Sequence, residues 1–149
     1  MKMEQKKCSI LTRGGNRLCF DCNGQKQMCI LAPRELQHEL IRLIEEEGMT
    51  YFICDMKCGK GLYTAELLLH LREKYPQIEV ECVIPFEEYA GKWAEPYRDR
   101  YFDIVAHCDK ETLLQTRYTP DCMLKQRQYM VEAADCVIVL WTPNHTLRK

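Results

Sequence analysis

The feature that most constrains the fold is the stretch 51–66, which reads Tyr-Phe-Ile-Cys-Asp-Met-Lys-Cys-Gly-Lys-Gly-Leu-Tyr-Thr-Ala-Glu. Its apolar start stops at a short polar loop that holds Gly59 and Gly61, and a helical pattern begins at Leu62. A strand, a glycine loop and a helix in this order place backbone N–H groups and a helix N-terminus around a phosphate or another anion. The stretch therefore predicts a nucleotide-binding architecture, although Asp55 stands where such sites carry small neutral residues.

Strand patterns and helical patterns alternate along the whole chain. The apolar and alternating runs predict strands over residues 8–12, 51–54, 78–86, 111–116 and 136–141. Helical spacing and its boundary residues predict helices between Pro33 and Gly48, between Leu62 and Pro76, over 87–93 and 96–108, and after Asp121. Such alternation is typical of βαβ units. We therefore predict an α/β fold: one Rossmann-like domain over residues 1–149, with right-handed crossovers and a mostly parallel sheet of about five strands covered by helices on both faces.

Residues 13–29 give the least regular pattern in the chain. Glycine and asparagine are frequent there, and two apolar islands, 18–20 and 28–31, flank the dipeptide Asn23-Gly24. Because this dipeptide favours two-residue hairpin turns, we expect turns and a hairpin in this region.

Composition and charge exclude several classes of partner. The chain has 149 residues and a formal net charge of −1, so it lacks the basic surplus that is typical of nucleic-acid-binding domains. No apolar run approaches the roughly 20 residues that cross a bilayer, and the lysine-rich residues 1–7 lead into no signal-peptide core. We therefore expect no nucleic-acid partner, no membrane partner and a cytoplasmic location.

Ten cysteines are a large number for a chain of this length. Since the chain has no signal peptide and its regular patterns need no disulfides, we expect reduced thiols, of which Cys54, Cys82 and Cys136 pack inside apolar runs as small hydrophobes. Cys19 and Cys22 have the spacing of one zinc knuckle, but zinc ribbons pair two such motifs. We predict no metal and no cofactor, and we keep these two cysteines as the candidates for a zinc site.

In open α/β sheets, ligands bind at the carboxyl ends of the strands. This rule nominates the loops after Thr12, Cys54, Ile84, Thr116 and Trp141. The loop over 54–61 is the best candidate, although a tight turn without a ligand is an equal alternative. It matches neither the dinucleotide fingerprint nor the P-loop, because the third glycine of the former and the Lys-Ser or Lys-Thr pair of the latter are missing.

Three groups of residues recur in a fixed order over residues 50–141. The first is the helix start Leu62-Tyr63-Thr64-Ala65-Glu66. The second is Ile84-Pro85-Phe86, followed by Glu88, Lys92, Trp93, Pro96 and Tyr101. The third comprises Tyr118, Cys122, Arg127, Met130 and the run Ala134-Asp135-Cys136-Val137-Ile138. In this order and spacing the set resembles the YpsA-like branch of the SLOG superfamily, which is related to the Rossmann-like DprA and LOG proteins.

The chain departs from this family at two places. Cys54 and Asp55 stand for the family's Ser-Gly pair, Gly59 is kept, and Gly61 replaces an acidic residue. Beyond Trp141 the family continues with a glycine-containing turn, a helix and a further strand. We therefore expect a domain that lacks this C-terminal strand and helix and that exposes an apolar edge, which pairs with a second copy in a homo-oligomer.

The resemblance implies a set of site residues. Those expected to contact a ligand are Thr12, Gly14, Cys54, Asp55, Gly59, Gly61, Pro85, Phe86, Trp93, Tyr118 and Arg127. The carboxylates that it places near the pocket are Glu66 and Glu88, which are the candidates for catalysis if there is a reaction.

The resemblance and its departures together predict function. We expect a noncatalytic SLOG-type protein that binds a nucleotide-like small molecule weakly, or has lost that binding, and that acts in regulation or protein association. One alternative is an enzyme acting on a nucleotide or nucleoside, with Glu66 or Glu88 as its carboxylate and Arg127 as its phosphate ligand. Another is a zinc-stabilised interaction module built on the N-terminal cysteines.

Overall fold

A computed structural model describes residues 5–12 and 27–141 of the chain. The strands are β1 (Lys7–Leu11), β2 (Gln27–Leu31), β3 (Tyr51–Cys54), β4 (Glu79–Ile84), β5 (Lys110–Leu113) and β6 (Cys136–Leu140). The helices are α1 (Leu36–Glu47), which follows a 3₁₀ turn at Pro33–Glu35, then α2 (Lys60–Lys74), α3 (Glu95–His107) and α4 (Cys122–Ala133). Among these described residues, no helix is long and apolar enough to cross a bilayer.

The strands form one sheet in the order β2-β6-β1-β3-β4-β5, and every pair is parallel. The predicted α/β class and Rossmann-like domain are confirmed, but the sheet has six strands rather than five. The additional strand is β2, which pairs with β6 from Gln27 opposite Cys136 to Leu31 opposite Leu140. From the sequence this short apolar segment was predicted only as the flank of a hairpin turn. Its strand partner is distant in sequence and therefore leaves no local signal. The predicted turn at Asn23-Gly24 lies outside the described residues.

The sheet has a topological switch point between β1 and β3. From β1 the chain runs to β2 on one side of the sheet, whereas from β3 it runs to β4 on the other side. The outgoing connections therefore separate above the carboxyl ends of these two neighbouring strands, which is where open α/β sheets form their ligand crevice.

Helices cover both faces of the sheet, as predicted. Helices α1, α2 and α3 pack on one face, where Leu40, Leu68 and Ile104 are fully or almost fully buried. Helix α4 packs on the other face through Met130. The first face also carries four buried cysteines, whose small side chains lie under the helices; these are Cys8, Cys54, Cys82 and Cys136. The prediction that Cys54, Cys82 and Cys136 are packed as small hydrophobes is confirmed.

The predicted helix over 87–93 is wrong. The segment forms successive turns, in which Tyr89 N donates to Phe86 O, Gly91 N to Glu88 O and Trp93 N to Ala90 O. Glycine is a poor helix former, and the rings of Tyr89 and Trp93 are fixed by edge contacts with Tyr101 of α3. Tertiary packing therefore overrides the helical spacing of this segment.

A buried carboxylate joins three strands and a helix on the α4 face. Glu81 of β4 is 2% exposed and accepts hydrogen bonds of 2.6 Å from the hydroxyls of Tyr51, Thr112 and Tyr129. Burial acts to raise the pKa of Glu81, but these three hydrogen bonds and the charge of Lys110 bring it below its usual value. The cluster therefore holds β3, β4, β5 and α4 together through an ionised group.

We predict that Glu81→Leu lowers the free energy of unfolding by about 3 kcal/mol, because it leaves three hydroxyls without their acceptor in a largely buried site. The matched control is Glu79→Leu, which makes the same change at an exposed position of the same strand. Urea denaturation monitored by circular dichroism measures both. Equal losses for the two variants would show that the cluster contributes nothing specific.

The Glu81 cluster also predicts a pH dependence. Because the folded-state pKa lies below the unfolded one, the ionised carboxylate stabilises the fold above about pH 4.3 and loses this effect as the pH falls further. The stability difference between the wild type and Glu81→Gln should therefore be full at pH 7 and shrink on acidification. A difference that grows between pH 5 and pH 3 would contradict this assignment.

Candidate functional site

The switch-point crevice is closed by the carboxylate of Asp55, which follows β3 and is 5% exposed. Oδ2 accepts a hydrogen bond from the backbone N–H of Thr12 at 2.9 Å, and the Thr12 hydroxyl lies 2.9 and 3.0 Å from the two carboxylate oxygens. Oδ1 accepts from the backbone N–H of Lys57 at 3.1 Å. We call these donors of Thr12 and Lys57 the Asp55 cradle. They join the carboxyl ends of β1 and β3.

The first turn of α2 lies directly against this carboxylate. A Cβ added at Gly61 would be 2.7 Å from Asp55 Oδ1 and 2.9 Å from the carbonyl carbon of Met56, so only glycine fits there. Gly59 precedes the helix with φ of 93°, a backbone conformation that side chains rarely adopt. The two glycines that the sequence singled out thus bring the N-terminus of α2 onto Asp55.

Electrostatics at the cradle have two opposing parts. Burial is the larger of the two and raises the pKa of Asp55 above its ordinary value, while the hydrogen bonds from Thr12 and the backbone of Lys57 favour the ionised form and oppose this rise. Burial also raises the pKa of the Cys54 thiol, which lies in the core just before the loop. Cys54 therefore supports the loop from below and stays a neutral thiol.

Gln126 of α4 ties the crevice to the opposite face of the sheet. Its buried Nε2 donates to the carbonyl of Asp55 at 2.9 Å and to that of Val83 at 2.8 Å. The buried face of α4 is Cys122, Gln126 and Met130, whereas Arg127 is only half-buried. The i, i+4, i+8 spacing of these three residues is the signal in the sequence that they share one face of the helix. From the sequence, the neighbouring Arg127 was predicted as a site residue and Gln126 was not.

A cavity of about 930 Å³ lies beside the crevice, between the loops that follow β4 and β5. A hydrogen bond from Glu87 N to Thr116 O, 3.1 Å long, joins the two loops. We call this cavity the aromatic pocket; its lining is Phe86, Glu87, Glu88, Tyr89, Gly91, Lys92, Trp93, Thr116, Arg117 and Tyr118.

Four rings form one chain of edge-to-face contacts along the aromatic pocket. Phe86 lies 5.4 Å from Tyr118 and 5.7 Å from Tyr89, and Tyr89 lies 5.2 Å from Trp93, measured between ring centroids. Tyr118 is 62% exposed and presents its ring at the mouth. The pocket is thus a surface on which a planar ring can stack.

The polar part of the pocket lining is balanced in charge. Glu87 and Glu88 are its two acids, and Lys92 and Arg117 are its two bases. Tyr89 connects the pocket to the crevice: burial raises the pKa of its phenol, and the charge of Asp55 raises it further.

The structure gathers most of the predicted site residues into two neighbouring groups, whereas Arg127 is not among the residues that line the pocket. Thr12, Asp55, Gly59 and Gly61 lie at the cradle, with Cys54 beneath them. Phe86, Glu88, Trp93 and Tyr118 line the aromatic pocket, while Pro85 is buried just before it.

Glu66 is placed apart from both groups. Its carboxylate accepts two hydrogen bonds from Arg100 of α3, at 2.8 and 2.9 Å, beside a separate groove between α2 and α3. Gly14, Cys19 and Cys22 lie outside the described residues. Within residues 5–12 and 27–141, no group of three or more His, Cys, Asp or Glu side chains is placed to hold a metal ion.

Sequence reasoning missed Tyr89, Arg117 and Gln126. Arg117 lies on a loop that the strand-end rule nominates, whereas Tyr89 lies in the segment 87–93, which the sequence pattern predicted to be a helix. Nothing local distinguishes a pocket tyrosine or arginine from a surface one, so neither role was predictable.

The packing of Gly61 gives a direct test of the cradle. Gly61→Ala should lower the free energy of unfolding by about 1–3 kcal/mol, because its Cβ would overlap a carboxylate oxygen and backbone atoms. The control is Gly91→Ala, whose added Cβ would lie 3.0 Å from the flexible Oε1 of Glu88 and 3.2 Å from the Glu88 carbonyl oxygen, both longer than the closest contacts at Gly61. Thermal unfolding should show the larger loss for Gly61→Ala, and the reverse order would contradict the geometry.

Comparison with known proteins gives a consistent result. A family model named YpsA and described as the YspA SLOG family matches residues 17–148. The UPF0398 protein of Bacillus pumilus is 29% identical over 113 residues, which cover 74% of this chain and 60% of that protein. The UPF0398 protein YpsA of Bacillus subtilis is 29% identical over 113 residues, which cover 74% of this chain and 62% of that protein. A UPF0398 protein of Staphylococcus aureus is 26% identical over 108 residues, which cover 71% of this chain and 57% of that protein. The chain spans about three fifths of the length of these curated relatives.

Proposed function

The chain belongs to the YpsA family of SLOG proteins, and from this premise we propose that it binds a nucleotide-like small molecule weakly in the aromatic pocket and catalyses no reaction on it. Binding then serves regulation or association with other proteins. The observation that carries the proposal is the chain of four aromatic rings along a cavity of about 930 Å³ at the carboxyl ends of β4 and β5. Cavities of this size with aromatic walls suit small ligands that contain a planar ring.

The candidate carboxylates support binding over catalysis. Glu66 is engaged by Arg100 and lies outside the pocket lining, so the enzyme alternative depends on Glu88. Glu88 is exposed to solvent, so bulk water reaches the carboxylate on which this alternative depends. Among the described lining residues there is also no Cys, Ser or His to act with it.

We extend the proposal to location and assembly: the protein acts in the cytoplasm, and it self-associates through an outer strand. In the described part of the sheet, β6 is flanked by β1 and β2, so the outer strands are β2 and β5. Among the described residues each of these strands pairs with a neighbour on one side only, and each carries an exposed apolar side chain, Ile30 and Leu113 respectively.

Ligand binding is tested by thermal shift with nucleosides, their monophosphates and ADP-ribose. A compound that binds only the folded protein raises its stability by about 2.7 kcal/mol at 100 times Kd, which corresponds to a melting shift of several degrees. Tyr118→Ala should abolish most of this shift, because it removes the exposed ring at the pocket mouth. The control is Tyr63→Ala, which removes an exposed tyrosine of α2 outside the pocket.

Three results would contradict the proposal. The absence of any shift at millimolar ligand would exclude binding of these compounds. Release of free base or phosphate during incubation, detected by liquid chromatography and lost in Glu88→Gln, would favour the enzyme alternative instead. An equal effect of both tyrosine substitutions would place the ligand elsewhere.

A further inference from the structure

We propose that the ligand of the aromatic pocket is a nucleoside-like compound with an uncharged planar ring and no phosphate, because the chain's own Asp55 carboxylate fills the place of a phosphate in the adjoining crevice. This inference rests on the function proposed above and specifies its ligand class. It follows from the donors of the crevice, from the space around them and from the charges of the pocket.

The donors of the crevice are already used. The backbone N–H groups of Thr12 and Lys57 and the hydroxyl of Thr12 all lie within 3.1 Å of Asp55 oxygens. Backbone N–H groups at a strand end beside a helix N-terminus are the groups that bind phosphate oxygens in nucleotide sites. Here these donors hold an intramolecular anion, and Asp55 is 5% exposed.

No space is left for a second anion between the carboxylate and α2. The distance of 2.7 Å from Asp55 Oδ1 to a Cβ built at Gly61 is already shorter than a normal contact. A phosphate at this point would have to displace the carboxylate, and a phosphate beside it would be repelled by a like charge in a poorly hydrated site.

The pocket itself provides no surplus of positive charge for a phosphate. Its two acids, Glu87 and Glu88, balance its two bases, Lys92 and Arg117. Tyr89 lines the pocket and is within electrostatic reach of Asp55, so a phosphate that extended from the pocket towards the crevice would approach this carboxylate. Aromatic stacking and neutral hydrogen bonds therefore favour a base or nucleoside over its phosphate esters.

The test compares adenosine, guanosine, cytidine and uridine with their 5′-monophosphates and with inorganic phosphate, by isothermal titration calorimetry. We expect the wild type to bind at least one nucleoside roughly tenfold more tightly than its monophosphate, a difference of about 1.4 kcal/mol. Asp55→Gly should reduce or reverse this preference and should bind inorganic phosphate, because it frees the donors of Thr12 and Lys57. Asp55→Asn removes the charge with little change in shape and should reduce the preference even if Asp55→Gly fails to fold. Asp99→Asn, an exposed change of the same kind on α3, should leave the preference unaltered.

The inference is overturned if the wild type binds a monophosphate at least as tightly as its nucleoside, or if neither folded Asp55 variant changes the preference. Failure of the proposed function is a separate result, in which the wild type binds no nucleoside and no monophosphate. In that case the inference is still supported if Asp55→Gly binds inorganic phosphate and the wild type does not, because Asp55 then occupies the donors of the Asp55 cradle. If neither Asp55→Gly nor the wild type binds inorganic phosphate, the inference that Asp55 fills a phosphate site is overturned as well.

Discussion

The hydrogen bonds between Asp55 and Thr12 hold together the part of the molecule on which its site depends. They cross the gap between β1 and β3, the two central strands whose connections leave in opposite directions. Parallel strands present free N–H groups and carbonyls at their ends, and a ligand usually satisfies these groups. In this protein a side chain satisfies several of them. The first turn of α2 then packs on the same carboxylate through Gly61, so strand ends, loop and helix all meet at Asp55.

This arrangement moves the available binding surface along the sheet edge. With the central crevice filled, the open cavity lies above β4 and β5, where Phe86, Tyr89, Trp93 and Tyr118 supply its walls. The floor of the crevice is fixed from the other face by Gln126, which binds carbonyls of Asp55 and Val83. A nucleotide-type fold can thus keep its architecture while one of its own side chains fills the central crevice.

Two buried carboxylates serve the same sheet in different ways. Asp55 is held chiefly by backbone donors, so its role is to fix the course of the chain at a strand end. Glu81 is held by hydroxyls from Tyr51, Thr112 and Tyr129, so its role is to join elements that are distant in sequence. Hydrogen bonds bring the pKa of Glu81 below its usual value despite its burial, whereas at Asp55 burial outweighs them and raises the pKa. In both cases removing either side would leave polar groups unpaired. Neither role can be assigned from residue type alone.

Local pattern in the sequence determined the alternation of strands and helices, the glycine turn before α2, the helix that ends at Gly48, and the ordered motifs that identified the family. These depend on periodicity, backbone freedom and spacing, which are properties of neighbouring residues. Only the tertiary structure decided the pairing of β2 with β6, the turns over 87–93, and the inward place of Gln126 beside Arg127. It also decided that the Asp55 carboxylate is hydrogen-bonded within the fold, to Thr12 and Lys57. The physical reason is that each of these depends on hydrogen-bond partners and packed rings contributed by remote segments, whose positions no local pattern contains.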